Sequence, residues 1–190
     1  MGRRNNRKIF EDLEVIDAGA KGKAIAKAPD GKVVFINNAV PGDIVTVQTT
    51  KKKRAYYEGT AISFSNYSQK RTTPVCEHFG VCGGCKWQHM GYEHQLFYKQ
   101  KEVENNLKRL GGVKLPDIAP ILGSKDTYFY RNKMEYTFSG SPWYIEDESY
   151  DDIIIGLHVP KRFDKILDCS GNLCPALHCR MVLNISLMIQ

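Results

Sequence analysis

Hydrophobic and polar residues alternate through the first third of this 190-residue chain and give way to a helical spacing after residue 92. Leu13-Glu14-Val15-Ile16 alternates, and Gly19 and Gly22 then punctuate the chain. Ala24-Ile25-Ala26 runs into Pro29-Asp30-Gly31, whose Asp-Gly pair is a hairpin signal before Val33-Val34-Phe35-Ile36. Pro41-Gly42 marks the next turn, followed by the β-rich segments Ile44 to Thr49 and Tyr57 to Phe64. Four or five short strands in about sixty residues predict a small OB-like β-barrel over 10–73, behind a basic, unstructured arm at 1–9.

From Tyr92 the apolar positions Tyr92, Leu96, Val103, Leu107 and Leu110 recur in steps of four, seven, four and three. That spacing puts them on one helical face, with Gly111 as the C-terminal cap and a helix that covers a sheet. Lys99, Lys101, Lys108 and Arg109 mix with Glu102 and Glu104 on the other side, an ordinary solvated face. In Tyr130 to Ser139 the alternation returns: Met134, Tyr136 and Phe138 point one way and Arg131, Lys133 and Glu135 the other. Ile153 to His158, with Gly156 in its middle, and Lys165 to Leu167 predict two more strands, and Trp143 with Glu146-Asp147-Glu148 reads as a hairpin tip. The expectation is a mainly β chain whose second part, 74–190, is an α+β domain.

Charge is distributed unevenly. Up to Val75 there are 14 Lys or Arg against 7 Asp or Glu, whereas the remainder carries 13 against 14. A basic surface attracts phosphate. Its densest run, Lys51-Lys52-Lys53-Arg54, is followed closely by Tyr56 and Tyr57, the mixture of cations and rings that single-stranded RNA sites use. Lys21 and Lys23, beside the glycine-marked turn, are within reach of a phosphate or are simply solvated. No apolar run reaches the length of a membrane span, no apolar signal core follows the basic start, and Asn6 stands where myristoylation needs Ser or Thr. A cytoplasmic address with reduced thiols, no membrane association and a monomeric state are expected.

The chemistry of the chain concentrates in Cys76, Cys82 and Cys85, written C-E-H-F-G-V-C-G-G-C-K-W-Q-H. Two thiolates two residues apart grip one metal centre from a tight loop, and glycines let backbone amides face the sulfurs. A disulfide or thiol-exchange pair fits less well, because Arg71-Thr72-Thr73-Pro74 is polar and loop-like where a thioredoxin-type motif follows a buried strand. Three ligands leave one position open, to be filled from Cys169, Cys174 or Cys179. Spacing leaves zinc and an iron–sulfur cluster open, since His78 or His89 can replace a cysteine on zinc.

Pro74-Val75-Cys76, His78-Phe79-Gly80-Val81-Cys82-Gly83-Gly84-Cys85 and Gln88-His89 closely resemble the iron–sulfur segment of bacterial RNA uracil-5-methyltransferases, above all those acting on large-subunit (23S) ribosomal RNA. The resemblance spans nearly the whole chain: the preceding residues are similar to a TRAM domain, a compact RNA-binding β-barrel, and the following ones to the family's central domain. It implies a [4Fe-4S] cluster on Cys76, Cys82, Cys85 and a downstream cysteine. Cys174 has the family's proline and aliphatic residue after it but lies farther from Asp168 than the family pattern; it ranks first, then Cys169, then Cys179. Tyr130-Arg131-Asn132-Lys133 resembles the family's Tyr-Arg-rich strand, which makes Arg131 and Lys133 candidates for RNA contact, with a cross-strand salt bridge as the plainer alternative.

A methyltransferase also needs a glycine-rich strand-to-helix turn for S-adenosylmethionine, and uracil-5 chemistry needs a cysteine nucleophile and a base. No such constellation is read in the chain, since Gly111-Gly112 ends a helix, so no catalytic and no S-adenosylmethionine-binding residue is assigned. The resemblance places both in a C-terminal Rossmann-like domain, expected beyond Gln190, so the chain is expected to be an inactive RNA-binding half of the enzyme. The competing expectations are a stand-alone zinc- or cluster-stabilised RNA-binding adaptor and an iron–sulfur redox protein.

Overall fold

The computed structural model describes residues 7–130, 136–140, 142–143, 153–160 and 162–168. Five strands form a closed barrel: β1 (Ile9–Gly19), β2 (Lys23–Lys27), β3 (Val33–Asn37), β4 (Ile44–Lys52) and β5 (Tyr56–Asn66), in the order β1-β2-β3-β5-β4. All neighbours are antiparallel except β3 and β5, which run parallel with Val34 opposite Tyr57. Closure leaves no free edge, and alternation sends every second residue inward. Val15, Ala24, Ala26, Val34, Ile36, Val45, Val47 and Tyr57 fill the interior. Gly59 permits the approach of β4, because a Cβ there would meet Val47 Cγ1 at 2.6 Å and the Gln48 carbonyl at 2.7 Å. The Val40–Asp43 turn carries Gly42 at φ +97° and closes with the Asp43 amide donating to the Val40 carbonyl at 3.0 Å. That left-handed conformation suits the glycine of Pro41-Gly42.

Helix α1 (Tyr92–Asn105) continues as one wider turn over Asn106–Leu110, then Gly111 ends it and Gly112 takes φ +61°. Its packing departs from the apolar spacing. Tyr98 is the residue it buries, in a cluster with Ala18, Val40 and Met90 and with Trp87 alongside, whereas Val103 and Leu107 are exposed and Leu110 is 84 % exposed. Polar contacts set the orientation: the Gln95 side-chain amide donates to the carbonyls of Trp87 and Met90 at 3.0 and 2.9 Å, and Lys101 Nζ meets Asp17 Oδ2 at 2.7 Å. These hold the Tyr98 side of the helix on β1 and leave Val103, Leu107 and Leu110 outward, while Tyr92 and Leu96 are half-buried.

The chain divides into two compact units. The barrel groups with residues 86–123, and residues 74–85 group with those from 124 onward. Residues 86–123, assigned from sequence to the second domain, thus cluster with the barrel. The second unit contains a four-stranded sheet ordered β6-β8-β9-β7, with β6 Thr137–Ser139, β7 Pro142–Trp143, β8 Ile154–Val159 and β9 Arg162–Asp168. Ile154, Ile166 and Leu167 are buried. Gly156 is a close-approach glycine, since a Cβ there would collide with the Leu167 carbonyl oxygen. Two local expectations change. Phe138 is exposed while Thr137 and Ser139 are half-buried, and Trp143 lies in a strand paired parallel with Leu167 rather than at a hairpin tip. Met134 and Glu146-Asp147-Glu148 lie outside the described residues. Among the described residues no helix is long and apolar enough to cross a membrane.

Candidate functional site

The basic run forms the tip of the β4–β5 hairpin. Lys51 and Lys52 end β4, the Lys53 amide donates to the Tyr56 carbonyl at 2.9 Å, and all four side chains from Lys51 to Arg54 are exposed. Among the described residues none of the four enters an ion pair. Beside them Tyr56 is half-buried on the outer surface, its ring edge-on to Phe35 at 5.4 Å. Lys23, by contrast, is taken up by Glu58 at 3.6 Å, while Lys21 adopts φ 59° in the short turn after β1.

Tyr57 is a correction. It is 1 % exposed, its ring packs edge-on to Phe10 at 5.1 Å, and its hydroxyl donates to Asp30 Oδ2 at 2.8 Å. Consecutive strand residues face opposite sides, so of Tyr56 and Tyr57 only one can look outward. Tyr57 belongs to the core and offers no ring to a base. The same hydroxyl holds the Asp30 carboxyl below its ordinary range, and Asp30 in turn raises the Lys32 ammonium.

A polar centre that the sequence did not single out lies at the other end of the barrel. Asp43, fully buried, accepts the Val40 amide at 2.6 Å, the Ser68 amide at 2.9 Å, and Arg71 Nε and Nη2 at 2.8 Å each. Arg71 also donates to the Asn38 carbonyl at 3.2 Å and lies against the rings of Phe64 and Tyr67. A charge-assisted bidentate pair with all carboxylate lone pairs engaged is the form in which buried ions are tolerated. His89 sits beside it at 5 % exposure, and burial, reinforced by the Arg71 charge, lowers its imidazole pKa to about 4. The Thr72 amide donates to the His89 carbonyl at 3.1 Å and the Gly91 amide to the Lys70 carbonyl at 2.9 Å. The chain therefore leaves the barrel after Thr73 and returns at Lys86 through a short paired stem, with Arg71 opposite Met90. Pairing of Arg71 with an aspartate 28 residues upstream is a long-range contact without local signal; the turn residues Pro41-Gly42 before Asp43 were the only pointer.

In the segment from Pro74 to Cys85, the side chains of Cys76, Cys82 and Cys85 are half-buried. The Cys82 amide donates to the His78 carbonyl at 2.9 Å, Gly80 adopts φ +92°, and the Gly84 amide donates to Cys82 Sγ at 3.3 Å. Gly83 lies against Pro160 and Gly84 near Leu157. Amides that face a sulfur are a feature of thiolate-bound centres, and here the Gly84 amide faces Cys82 Sγ. Among the described residues, however, no three His, Cys, Asp or Glu side chains are gathered into an ion site. His89 is buried beside Arg71 and Asp43, in the unit that holds the barrel. Cys169, Cys174, Cys179, Arg131 and Lys133 lie outside the described residues; β9 ends at Asp168, one residue before Cys169.

Residues 10–62 match the TRAM domain family. The chain is 50 % identical over 154 residues to an uncharacterized RNA methyltransferase of Bacteroides thetaiotaomicron, covering 78 % of this chain and 34 % of that protein. It is 38 % identical over 138 residues to the 23S rRNA (uracil(1939)-C(5))-methyltransferase RlmD of Francisella tularensis subsp. novicida, covering 70 % and 30 %. A solved structure of Pyrococcus abyssi tRNA (uracil-54, C5)-methyltransferase with S-adenosyl-L-homocysteine matches at 21 % identity and a TM-score of 0.45, covering 86 % of this chain and 32 % of that one. The five-stranded barrel is thus a TRAM domain. The chain belongs to the RNA methyltransferase family that includes the 23S rRNA uracil-C5 enzymes, and it spans about a third of the length of the curated relatives it matches.

Proposed function

We propose that this chain is the RNA-binding portion of an S-adenosylmethionine-dependent RNA uracil-5-methyltransferase acting on 23S ribosomal RNA in the cytoplasm as a monomer. The observation that carries the reading is the exposed tip Lys51-Lys52-Lys53-Arg54, free of ion pairs among the described residues, on a TRAM barrel. Four cations held out on a rigid hairpin neutralise phosphates, and the outward ring of Tyr56 adds a stacking surface. Arg131 and Lys133 are further candidates for RNA contact. Cys76, Cys82 and Cys85, with Cys174 as fourth ligand and Cys169 as the alternative, hold a [4Fe-4S] cluster whose part is to order the loop. S-adenosylmethionine, when bound, supplies the methyl group. Among the described residues Gly111-Gly112 closes a helix rather than opening one, and we assign methyl transfer to the portion of the longer relatives that this chain does not span.

Two measurements test the reading. Binding to a 23S rRNA transcript falls with salt, and changing Lys51, Lys52, Lys53 and Arg54 together to Ala flattens the logarithmic salt slope by about 3, at roughly 0.7–0.9 for each phosphate no longer neutralised. An unchanged slope rejects the hairpin as the phosphate-binding element. With labelled S-adenosylmethionine, the 190-residue chain leaves the transcript unmethylated while the longer Bacteroides relative methylates it. Methylation by the chain alone overturns the division of labour.

A further inference from the structure

At the opposite end of β5 from the basic tip stands a second aromatic feature. Tyr67 is 62 % exposed and stacks on Phe64 with ring centroids 4.9 Å apart and planes 20° off parallel. Most large exposed side chains are free to rotate; this one is braced on two sides. Phe64 is itself packed against the barrel core, and the Arg71 guanidinium lies 4.7 Å from the Phe64 centroid and 5.2 Å from that of Tyr67. At those three distances the guanidinium flanks the ring pair, so the exposure of Tyr67 belongs to its outer face. Arg71 is immobilised by the bidentate bond to buried Asp43, and the next residue, Ser68, is fixed by its amide on Asp43 and its hydroxyl on the Pro41 carbonyl at 2.8 Å. The brace thus orders an exposed ring before anything binds to it, which removes an entropic cost of binding.

We propose that the outer face of Tyr67 is a stacking platform for one unpaired nucleobase, a second contact on the same RNA that the Lys51–Arg54 tip engages. The proposal rests on the RNA-binding reading above and deepens it. Ring chemistry and surroundings favour a base over an apolar peptide side chain: the ring is flanked by a guanidinium, Lys70 follows closely, and the first 75 residues carry 14 cations against 7 anions. Every base has a π face, so the platform selects unpaired nucleotides rather than a sequence. Arg71 polarises the ring edge but is charge-balanced by Asp43, so its own contribution to phosphate binding is small and Tyr67 contributes mainly stacking. Tyr67 follows directly after β5, whose far end carries Tyr56, and eleven residues at about 3.3 Å each separate the contacts by roughly 36 Å along the strand. A single strand bridging both falls within the roughly 4–16 nucleotides that an OB-type fold covers.

The test uses the 190-residue chain and an oligouridylate of about twelve nucleotides. Tyr67→Ala weakens binding about tenfold, leaves the salt slope at its wild-type value and leaves the melting temperature unchanged, while Tyr67→Phe binds like wild type. Irradiation at short wavelength cross-links the peptide containing Tyr67 to the RNA. Wild-type affinity in Tyr67→Ala, with the hairpin variant impaired, overturns the platform and leaves the RNA-binding reading standing. A parallel fall in salt slope and melting temperature overturns it in favour of a structural role for the ring. No salt-dependent binding by the wild-type chain overturns both.

Discussion

Arg71 grips Asp43 through two parallel hydrogen bonds of 2.8 Å, joining the segment just before the cysteine loop to the turn between β3 and β4. Asp43 has no exposure to water, so the pair is worth more in what its rupture costs than in what its presence adds. Because the same carboxylate caps the Val40 and Ser68 amides, one residue sets the turn, the exit of β5 and the stem together.

Arg71→Ala is expected to destabilise the barrel by about 3 kcal/mol, since it leaves a buried carboxylate without its counter-ion. The double variant Asp43→Asn with Arg71→Met removes both charges and recovers more than half of that loss. Denaturant titration of Asp43→Asn, Arg71→Met and the double variant gives the coupling between the residues. Additive effects would mean that the pair does not act as one unit.

The neighbouring imidazole makes stability depend on pH. The folded pKa of His89 is about 4, below the ordinary 6.5, chiefly because burial penalises the charged ring and secondarily because Arg71 repels it. Between these values the unfolded chain binds a proton that the folded chain does not, so stability is complete above about pH 6.5 and falls as pH drops towards 4, where the loss levels off. The interval corresponds to about 3 kcal/mol at 1.36 per pH unit. Denaturation curves at steps of pH measure the slope, and His89→Gln removes it; an equal slope in that variant assigns it to the carboxylates.

In the second unit, the close approach at Gly156 predicts a specific intolerance. Gly156→Ala pushes a methyl group into the Leu167 carbonyl, which the paired β8 and β9 cannot widen to accept without losing their ladder. The expected loss is on the order of 2 kcal/mol or more, typical of overpacking. Faster amide exchange in β8 and β9, with the barrel strands unaffected, is the readout. Uniform protection in both elements would show that the backbone accommodates the methyl.

The barrel was legible because its signals are local. Asp30-Gly31, Pro41-Gly42 and the alternation of β2, β3 and β4 each fix a turn or a face within a few residues, and the observed strands run up to four residues past the ends read from sequence. The outward placement of Lys51–Arg54 follows from the same logic, and strand period alone should have separated Tyr56 from Tyr57. The apolar stripe of α1 was misread because Gln95 and Lys101, polar residues with tertiary partners, decide which side meets the barrel. Asp43, Arg71 and His89 were invisible as a group because nothing in local spacing reports a contact across 28 residues. The type and spacing of Cys76, Cys82 and Cys85 raise the expectation of a thiolate site, yet spacing does not choose a fourth ligand among Cys169, Cys174 and Cys179, which lie outside the described residues.

That last choice is open to direct measurement. Purified without oxygen, the chain is expected to be brown, with iron and acid-labile sulfide in roughly equal amounts, because four soft thiolates suit a cubane cluster. Stoichiometric zinc without visible absorbance would reject the cluster. Cys82→Ser is expected to abolish loading, since Cys82 is the sulfur already met by the Gly84 amide. For the fourth ligand, Cys174→Ser abolishes loading while Cys169→Ser and Cys179→Ser retain it. The reverse result for Cys169 would assign the site to the cysteine that follows β9 directly in sequence.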